Sequence, residues 1–226
     1  SSPEGTLISL GSTVDDPSSA DTSAGFTYSW IVTKNGSAYG SGGTAAAFSF
    51  TPDDNGTYVV TFTATDKDSG VGSDARTITV VNVNPTAAIT GAPDSSPEGT
   101  LISLGSTADD PSTADTSAGF TYSWSVTKNG SAYGSGGATA SFSFTPDDNG
   151  TYVVTFTATD KDSGVGSNAR TITVVNVNPT ASITGAPDSS PEGTLISLGS
   201  TVGDASSADT SAGFTYSWSV TKNDST

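Results

Sequence analysis

The sequence contains no cysteine, no histidine and no methionine among its 226 residues. Without cysteine and histidine the chain cannot form disulfides, thiol nucleophiles, Ser-His-Asp triads, or zinc, copper and haem sites built on those residues. Basic residues are also scarce, because 7 Lys and Arg face 23 Asp and Glu, for a net charge of -16. Nucleic acids and anionic membranes bind basic patches, so neither is expected as a partner. The acidic balance instead favours solubility, cation binding or life in high salt.

Long apolar runs are absent as well, so membrane insertion is not expected. What is present is a long repeat. The segment Ser-Ser-Pro-Glu-Gly-Thr-Leu-Ile-Ser-Leu begins at Ser1, at Ser95 and at Ser189, which gives a period of 94 residues. The first two copies differ at only eight positions, and the third copy stops at Thr226. A period of this length predicts one independently folded domain per copy.

Each copy alternates apolar or aromatic residues with small polar ones, and this alternation is typical of half-buried strands. In the first copy and at the start of the second, such strands are predicted at 6–10, 26–33, 47–51, 57–65, 76–83 and 86–90. Turn segments rich in Gly, Asn and Asp separate them, and no segment has helical periodicity. About seven short strands in 90 residues predict an all-β fold of tandem immunoglobulin-like β-sandwich domains of about 94 residues, placed end to end.

Two aromatic residues support the immunoglobulin-like prediction. The stretch Asp-Asn-Gly-Thr-Tyr at 54–58 resembles a tyrosine corner, in which the hydroxyl of Tyr58 bonds back to nearby backbone. Trp30 occupies the position expected for the core tryptophan of the third strand. Plain core packing explains Trp30, Tyr28 and Phe62 better than ligand binding does.

The stretches 56–70 and 78–85 together resemble the second half of PKD-type (polycystic-kidney-disease) and bacterial cadherin-like domains of extracellular surface or fibre proteins. The resemblance covers about a third of each repeat and implies the fold more than a function. One departure is that PKD domains usually follow the tryptophan with Asp-Phe-Gly-Asp-Gly, whereas residues 31–34 here read Ile-Val-Thr-Lys.

The strand order predicts three modules. Residues 1–84 form a repeat that lacks the first strand, 85–178 form a complete repeat, and 179–226 form a truncated repeat with the first three strands only. The linker is just Asn84-Pro85, and proline restricts both its own backbone and the residue before it, so neighbouring domains have little slack.

The truncated third copy cannot bury its own aromatic residues. Phe214, Tyr216 and Trp218 lie on one face of its third predicted strand and are expected to remain uncovered. We therefore expect the chain to have been cut from a longer polypeptide whose repeats continue on both sides. Another copy of the chain in a filament could also complete this module.

Acidic loops are predicted to meet at each domain junction. In a sandwich of this strand order, the loop with Glu4 lies at one end, together with the 52–56 loop and the linker. The loops at 109–115 and 160–162 lie at the opposite end of the next domain. So many carboxylates would repel unless a hard cation sat between them, and calcium accepts 6–8 oxygens in irregular geometry.

Cadherin-like domains bind calcium through a Glu from this region, an Asn-rich linker and Asp residues of both neighbours, and the resemblance implies the same here. The candidate ligands at the first junction are Glu4, Asp53, Asn82, Asn84, Asp110, Asp115, Asp160 and Asp162. Those at the second junction are Glu98, Asp147, Asn176, Asn178, Asp204 and Asp209. Those at the corresponding end of the first repeat are Asp16, Asp21, Asp66 and Asp68.

The third copy distinguishes between adjacent acids, because Gly203 replaces Asp109 while Asp204 is kept beside it. This substitution predicts that Asp110, and not Asp109, is a calcium ligand. The alternative is that all these acids are ordinary solvated loop residues, chosen for turn geometry.

The sequence predicts a structural function outside the cell or at the surface of a prokaryotic cell. The chain would be a semi-rigid segment of a stalk, adhesin or filament, with neighbouring repeats, and other copies in a filament, as its partners. The alternative is an adhesive module that recognises carbohydrate or another surface.

A row of outward threonines could bind ice or mineral, but outward threonine is common on strands. Paired carboxylates could also hydrolyse glycosides, but no aromatic-lined groove accompanies them, and an enzyme is not expected.

Overall fold

The computed structural model describes residues 1–222. The chain divides into two compact units. The first unit contains Ser1–Ala87, Ala108–Tyr122 and Thr157–Ser167, and the second contains Ala88–Thr107, Ser123–Phe156 and the chain from Asn168 onward. The first unit therefore holds most of the first repeat together with two loop-bearing segments of the second. The domain limits at 84/85 and 178/179 stay a prediction.

The first repeat forms two β-sheet layers around one core, with antiparallel strand pairing except for one parallel pair. Its strands are β1 (Ser2–Pro3), β2 (Ile8–Gly11), β3 (Thr27–Lys34), β4 (Ser37–Gly43), β5 (Ala47–Phe50), β6 (Gly56–Thr65) and β7 (Val71–Val81). One sheet has the order β1-β7-β6-β3-β4, with β1 parallel to β7, and β2 pairs with β5 in the other sheet. Trp30, Val32, Tyr58, Val60 and Val80 are the buried core residues. The alternation of inward apolar and outward polar residues produces this sandwich.

The second repeat has the same sheets and includes the first strand that the first repeat lacks. Its strands are β8 (Thr86–Thr90), β9 (Ser95–Pro97), β10 (Ile102–Asp109), β11 (Thr121–Lys128), β12 (Ser131–Gly136), β13 (Ser141–Phe144), β14 (Gly150–Thr159) and β15 (Val165–Val175). The sheet orders are β13-β10-β8 and β12-β11-β14-β15-β9. Strand β8 lies where the first strand was predicted. The all-β, immunoglobulin-like prediction is confirmed.

The tyrosine corner is present in both repeats. The Tyr58 hydroxyl lies 2.8 Å from the carbonyl oxygen of Asp54, and the Tyr152 hydroxyl lies 2.9 Å from that of Asp148. Both tyrosines are fully buried. Each corner therefore fixes the turn that precedes β6 or β14, which is the turn that carries the acids discussed below.

The third copy forms only β16 (Thr180–Thr184) and β17 (Gly199–Gly203), which pair antiparallel. Residues 213–222 form no strand, so the predicted third strand is wrong there. A strand needs a neighbour to satisfy its backbone groups, and the strands that would flank this segment are missing from the copy. Trp218 is 49% exposed, whereas the equivalent Trp30 is 5% exposed, as the uncovered face predicted. The last four residues of the predicted module lie outside the described residues.

Three short helices occur that no helical periodicity in the sequence indicated. They are α1 (Ser19–Ala24), α2 (Thr113–Ala118) and α3 (Ser207–Ala212), with six residues each. Each follows a serine N-cap whose hydroxyl accepts a hydrogen bond from the backbone N–H of the first-turn aspartate, and each ends at a glycine with positive φ. Capping therefore specifies these helices, which are too short for periodicity to reveal. Within residues 1–222 no helix is long and apolar enough to cross a membrane.

Candidate metal centre at the repeat junctions

Backbone contacts dock the first repeat against loops of the second inside the first compact unit. We call this contact the first junction; it joins residues 3–5, 52–55 and 82–85 to residues 109–116 and 160–166. The carbonyl oxygen of Asp53 accepts hydrogen bonds from the Ser112 hydroxyl at 2.8 Å and from the Ala114 N–H at 3.2 Å. Both donors lie at the start of α2. The N-cap residue Ser112 therefore begins the helix and also binds the preceding repeat.

Glycine permits the close approach at this junction. Gly5 has a φ of +68°, and a Cβ atom there would lie 2.5 Å from the carbonyl oxygen of Pro111. A Cβ on Gly166 would collide in the same way with the carbonyl of Pro85. Side chains at these two positions would push the loops apart, so the repeated glycines are a requirement of docking as well as of turn geometry.

Glu4 is the buried acid at the centre of the first junction. It follows β1 and is 0% exposed. Its Oε1 accepts a hydrogen bond of 2.7 Å from the Val83 N–H, which ties the acid to the linker between the repeats. Its Oε2 is buried without a hydrogen-bond partner. One oxygen therefore orients the carboxylate, and the other remains available to a ligand.

Two aspartates of the second repeat face Glu4. Carboxylate oxygens of Glu4, Asp110 and Asp115 lie within 4.8 Å of one another, and we call these residues the first acidic trio. Asp110 is held by the Ser112 N–H at 2.8 Å through Oδ1, and its Oδ2 has no partner. Asp115 is 0% exposed, and its Oδ2 also has no partner. The predicted grouping of these three residues therefore exists.

Burial and mutual repulsion oppose ionisation of this trio. Burial raises the pKa of Glu4 above its ordinary value, and the charges of Asp115 and Asp110 add to the rise. Burial likewise raises the pKa of Asp110, with further contributions from Asp115 and Asp160. A divalent cation bound among these oxygens would favour the ionised forms and reverse both effects.

The linker asparagines lie against the 160–164 loop, as predicted. The Nδ2 of Asn82 donates to Asp160 Oδ2 at 3.1 Å, and Asn82 Oδ1 is buried without a partner. Asp160 Oδ1 accepts from the N–H groups of Asp162 and Gly164, both at 2.8 Å. Asn84 lies close by, because a Cβ on Gly164 would be 2.9 Å from its Oδ1. Asp160 thus holds the loop and the linker together.

A lysine adjoins the first acidic trio. The Nζ of Lys161 lies 2.6 Å from Asp54 Oδ1 and 3.2 Å from Asp115 Oδ1, and it also pairs with Asp162. Oxygens of Asp54, Asp115 and Asp162 lie within 4.8 Å of one another, and we call these residues the second acidic trio. Although burial lowers it, these three contacts raise the pKa of Lys161 overall. The ammonium group therefore neutralises part of the second trio.

The prediction that Asp53 and Asp147 are ligands stays a prediction, but neither residue belongs to the acid groups at the junctions. The Asp53 carboxylate lies 2.9 Å from Lys34 Nζ and 3.0 Å from the Tyr58 hydroxyl, and the Asp147 carboxylate has the same two contacts in the second repeat. Both partners contact Oδ1 of the aspartate, which holds the side chain toward the lysine and the tyrosine of its own repeat. The following acid, Asp54 or Asp148, faces the junction in each case.

The second junction repeats most of this arrangement inside the second compact unit. The Ser206 hydroxyl donates to the Asp147 carbonyl at 2.8 Å, and a Cβ on Gly99 would collide with the Ala205 carbonyl. Glu98 is 1% exposed; its Oε1 accepts from the Val177 N–H at 2.6 Å, and its Oε2 has no partner.

The acids around Glu98 are arranged differently from those around Glu4. Oxygens of Glu98, Asp148 and Asp209 lie within 4.8 Å of one another. Asp204 Oδ1 accepts from the Ser206 N–H at 2.7 Å, as Asp110 does from Ser112. The predicted ligands Asn176 and Asn178 are exposed, so the structure does not bring them to this cluster.

The four acids predicted at the end of the first repeat are only partly grouped. Oxygens of Asp16, Asp21 and Asp66 lie within 4.8 Å of one another, whereas Asp68 lies outside this group and pairs with Lys67. Lys67 Nζ also contacts Asp21 at 2.8 Å, and Asp66 Oδ1 accepts from the Asp68 and Gly70 N–H groups.

The sequence reasoning missed Asp54, Asp148, Lys161 and the serine N-caps. The segment Asp-Lys-Asp at 160–162 carried the signal for Lys161, since a cation between two loop acids points to an ion pair. The serine two residues after Asp110 carried the signal for the cap.

Comparisons with known proteins concern the fold alone. No protein-family model and no curated protein matches the chain. The fibronectin(III)-like modules of CbhA from Clostridium thermocellum are 16% identical over 77% of this chain and 88% of theirs, with a TM-score of 0.33. The amphioxus IgVJ-C2 molecule is 20% identical over 76% of this chain and 98% of its own, with a TM-score of 0.36. Three N-terminal domains of the outer capsid protein Hoc of bacteriophage RB49 are 18% identical over 91% of this chain and 68% of theirs, with a TM-score of 0.30. At such low scores none carries an argument about function.

Proposed function

We propose that this chain is a structural segment of an extracellular stalk, adhesin or filament whose repeat junctions bind calcium. The observation that carries the proposal is a set of four buried oxygens at the first junction that have neither a hydrogen bond nor an ion pair; a fifth, Asp115 Oδ1, lacks a hydrogen bond but pairs with Lys161. The four are Glu4 Oε2, Asp110 Oδ2, Asp115 Oδ2 and Asn82 Oδ1. Three buried carboxylates within 4.8 Å of one another are costly when ionised, and a bound cation would offset that cost.

The chemistry of these oxygens suits calcium. Hard carboxylate and amide oxygens on loops match its 6–8 ligands and tolerant geometry, whereas magnesium demands near-octahedral positions. The chain contains no cysteine or histidine that would favour a softer metal. Glu4, Asp110 and Asp115 would be the ligands, with Asn82 from the linker. A cation held by both repeats would resist bending at the junction.

An extracellular setting suits a site of the affinity expected for such modules. Extracellular modules bind calcium with dissociation constants of roughly 0.1–1 mM, so calcium at about 1 mM outside a cell would fill between about half and nine-tenths of the sites. Saturating calcium would stabilise each junction by on the order of 1–3 kcal/mol. The resemblance to PKD-type and bacterial cadherin-like repeats supports the same setting and a prokaryotic surface protein.

An adhesive function has less support. Of the aromatic residues, those on the core faces of the two sandwiches are packed inward, as Trp30 and Trp124 are at 5% and 3% exposure. Exposed rings such as Trp218 and Tyr216 occur in the third copy, where they correspond to core positions that its missing strands would cover. Because they occupy core positions of the repeat, these rings do not support a dedicated binding patch.

Thermal unfolding of the full chain tests the calcium proposal. We expect the midpoint to rise by several degrees between chelator and millimolar calcium. We expect Glu4→Gln to remove about half of that rise, because Glu98 still serves the second junction. Asp109→Asn is the matched control, since Asp109 lies outside both acidic trios. An identical midpoint in chelator and in calcium would contradict the proposal.

A further inference from the structure

We propose that the Lys161 ammonium group is the resident cation of a second cation position at the first junction. The inference rests on the proposed calcium site at the first acidic trio. The second acidic trio surrounds Lys161 Nζ, with Asp54 at 2.6 Å, Asp115 at 3.2 Å and Asp162 in direct contact. Asp54 belongs to the first repeat and the other two acids belong to the second, so the lysine bridges the two repeats.

The two trios share one residue, and this sharing explains why the junction can hold two cations. Asp115 is fully buried, and its Oδ1 faces Lys161 while its Oδ2 has no partner. The Asp115 carboxylate can therefore lie between two positive charges, with Oδ1 toward the Lys161 ammonium group and Oδ2 toward the proposed calcium ion. The five acids of the two trios, namely Glu4, Asp54, Asp110, Asp115 and Asp162, carry too much negative charge for one divalent ion to neutralise. Lys161 supplies part of the remainder without any dissolved ion.

The first repeat contains the corresponding lysine, Lys67, which has no contact equivalent to that of Lys161 with Asp54 among the described residues. Lys67 contacts Asp21 at 2.8 Å and pairs with Asp68, as Lys161 does with Asp115 and Asp162. The loops of a single repeat therefore position the lysine by themselves. At the first junction the side chain of Lys161 gains Asp54 as a third acid and is 31% exposed, against 43% for Lys67. The lysine thus recognises the acid of the preceding repeat.

This assignment has two consequences. Without calcium, Lys161 keeps the junction docked, because the Asp54 contact survives chelation. With a neutral residue at 161, the second acidic trio keeps only the contact of Lys34 with Asp54 at 3.2 Å and becomes a divalent site of its own. Three carboxylates from two repeats, one of them buried, provide the oxygen ligands that calcium prefers.

Calcium counting on the full chain tests the assignment. Equilibrium dialysis against radioactive calcium gives the number of ions bound per chain, and thermal unfolding in chelator gives the stability without metal. We expect Lys161→Met to bind one more ion than the unchanged chain and to unfold several degrees lower in chelator. Lys161→Gln serves as a second neutral variant should the methionine disturb folding. Lys161→Arg keeps the charge and is expected to bind the same number of ions as the unchanged chain.

A Glu4→Gln variant separates this assignment from the proposed function. Loss of one ion in Glu4→Gln tests the first acidic trio, whereas gain of one ion in Lys161→Met tests the second. In the double variant we expect the loss and the gain to cancel. An ion count in Lys161→Met and Lys161→Gln equal to that of the unchanged chain would overturn the assignment of Lys161, whatever Glu4→Gln shows.

Discussion

The first and second junctions are built from nearly the same residues, yet they differ in how they hold their acids. Both place a serine hydroxyl 2.8 Å from an aspartate carbonyl and bury a glutamate that accepts from the linker. Within residues 1–222, the first junction includes the 160–164 loop, and no corresponding loop lies at the second junction. Asp115 is 0% exposed at the first junction, while its counterpart Asp209 is only half-buried.

The difference between the two junctions shows that docking and charge neutralisation depend on different loops. The capped helix and the glutamate suffice to dock two repeats, because the second junction has both and retains the same backbone contacts. The 160–164 loop adds burial, a bond to the linker through Asn82 and the cation Lys161. Docking and charge neutralisation can therefore be disrupted independently.

The largest effect should come from Gly5→Ala, which attacks docking at the first junction. A Cβ there would collide with Pro111 and would also strain a positive φ, so we expect a loss of about 2–4 kcal/mol in the free energy of unfolding. Gly193 also has a positive φ, of 77°, but no atom lies within 4 Å of its added Cβ. Urea unfolding should show a much smaller loss for Gly193→Ala. Equal losses in the two variants would mean that strain, and not docking, is responsible.

Serine-to-alanine substitutions at the helix N-caps come next in size. Ser112→Ala removes the cap of α2 and the bond to the Asp53 carbonyl, for a loss of about 2 kcal/mol. Ser18→Ala removes the cap of α1, in which the Ser18 hydroxyl accepts from the Asp21 N–H, for a loss of about 1 kcal/mol. Chemical denaturation of the full chain measures both. A loss for Ser18→Ala as large as that for Ser112→Ala would mean that the bond from Ser112 to the Asp53 carbonyl contributes nothing to stability.

A smaller effect is expected from neutralising one ligand. Asp110→Asn keeps the acceptor for the Ser112 N–H but removes the charge, so calcium affinity should fall about tenfold, or about 1.4 kcal/mol. Asp109→Asn should leave the affinity unchanged, because Asp109 is exposed and outside the first acidic trio. Calorimetric titration with calcium measures both variants. A tenfold loss in Asp109→Asn with none in Asp110→Asn would reverse the assignment.

The smallest expected effect is a pH dependence whose sign differs with calcium. The pKa values of Glu4 and Asp110 are raised above 4.5 and 3.8, so in chelator the first junction loses stability as pH rises through those raised values. Calcium binds the ionised forms, so its stabilising effect should grow over the same range. Asp53 and Asp54 have lowered pKa values, and their contribution is lost only below 3.8. Melting curves against pH, with and without calcium, check the opposite slopes, and parallel slopes would contradict them.

The sequence predicted the fold through features that repeat over many residues. Alternation along β3, β6 and β7 fixed the sandwich, and Trp30 and Tyr58 fixed its type. It failed for β4, whose glycines weaken the alternation, and for the three helices, where one serine cap decides the structure.

The candidate site was predictable as a group of acids, but their individual contacts were not. Glu4, Asp110 and Asp115 were placed correctly because loop ends follow from strand order. Asp53 and Asp54 are adjacent and both pair with Lys34, and what distinguishes them is that the Tyr58 hydroxyl bonds the carboxylate of Asp53 but the backbone carbonyl of Asp54. Contacts of that kind depend on side-chain positions in three dimensions, which spacing along the chain does not fix.

Crystals of the full chain grown in millimolar calcium, measured for anomalous scattering, test the central claim most directly. The account predicts an anomalous peak bound by Glu4, Asp110 and Asp115, with the Lys161 ammonium group between Asp54 and Asp162 and no second peak there. Crystals with Glu4 and Asp110 bonded to water alone, and no anomalous density between them, would contradict it.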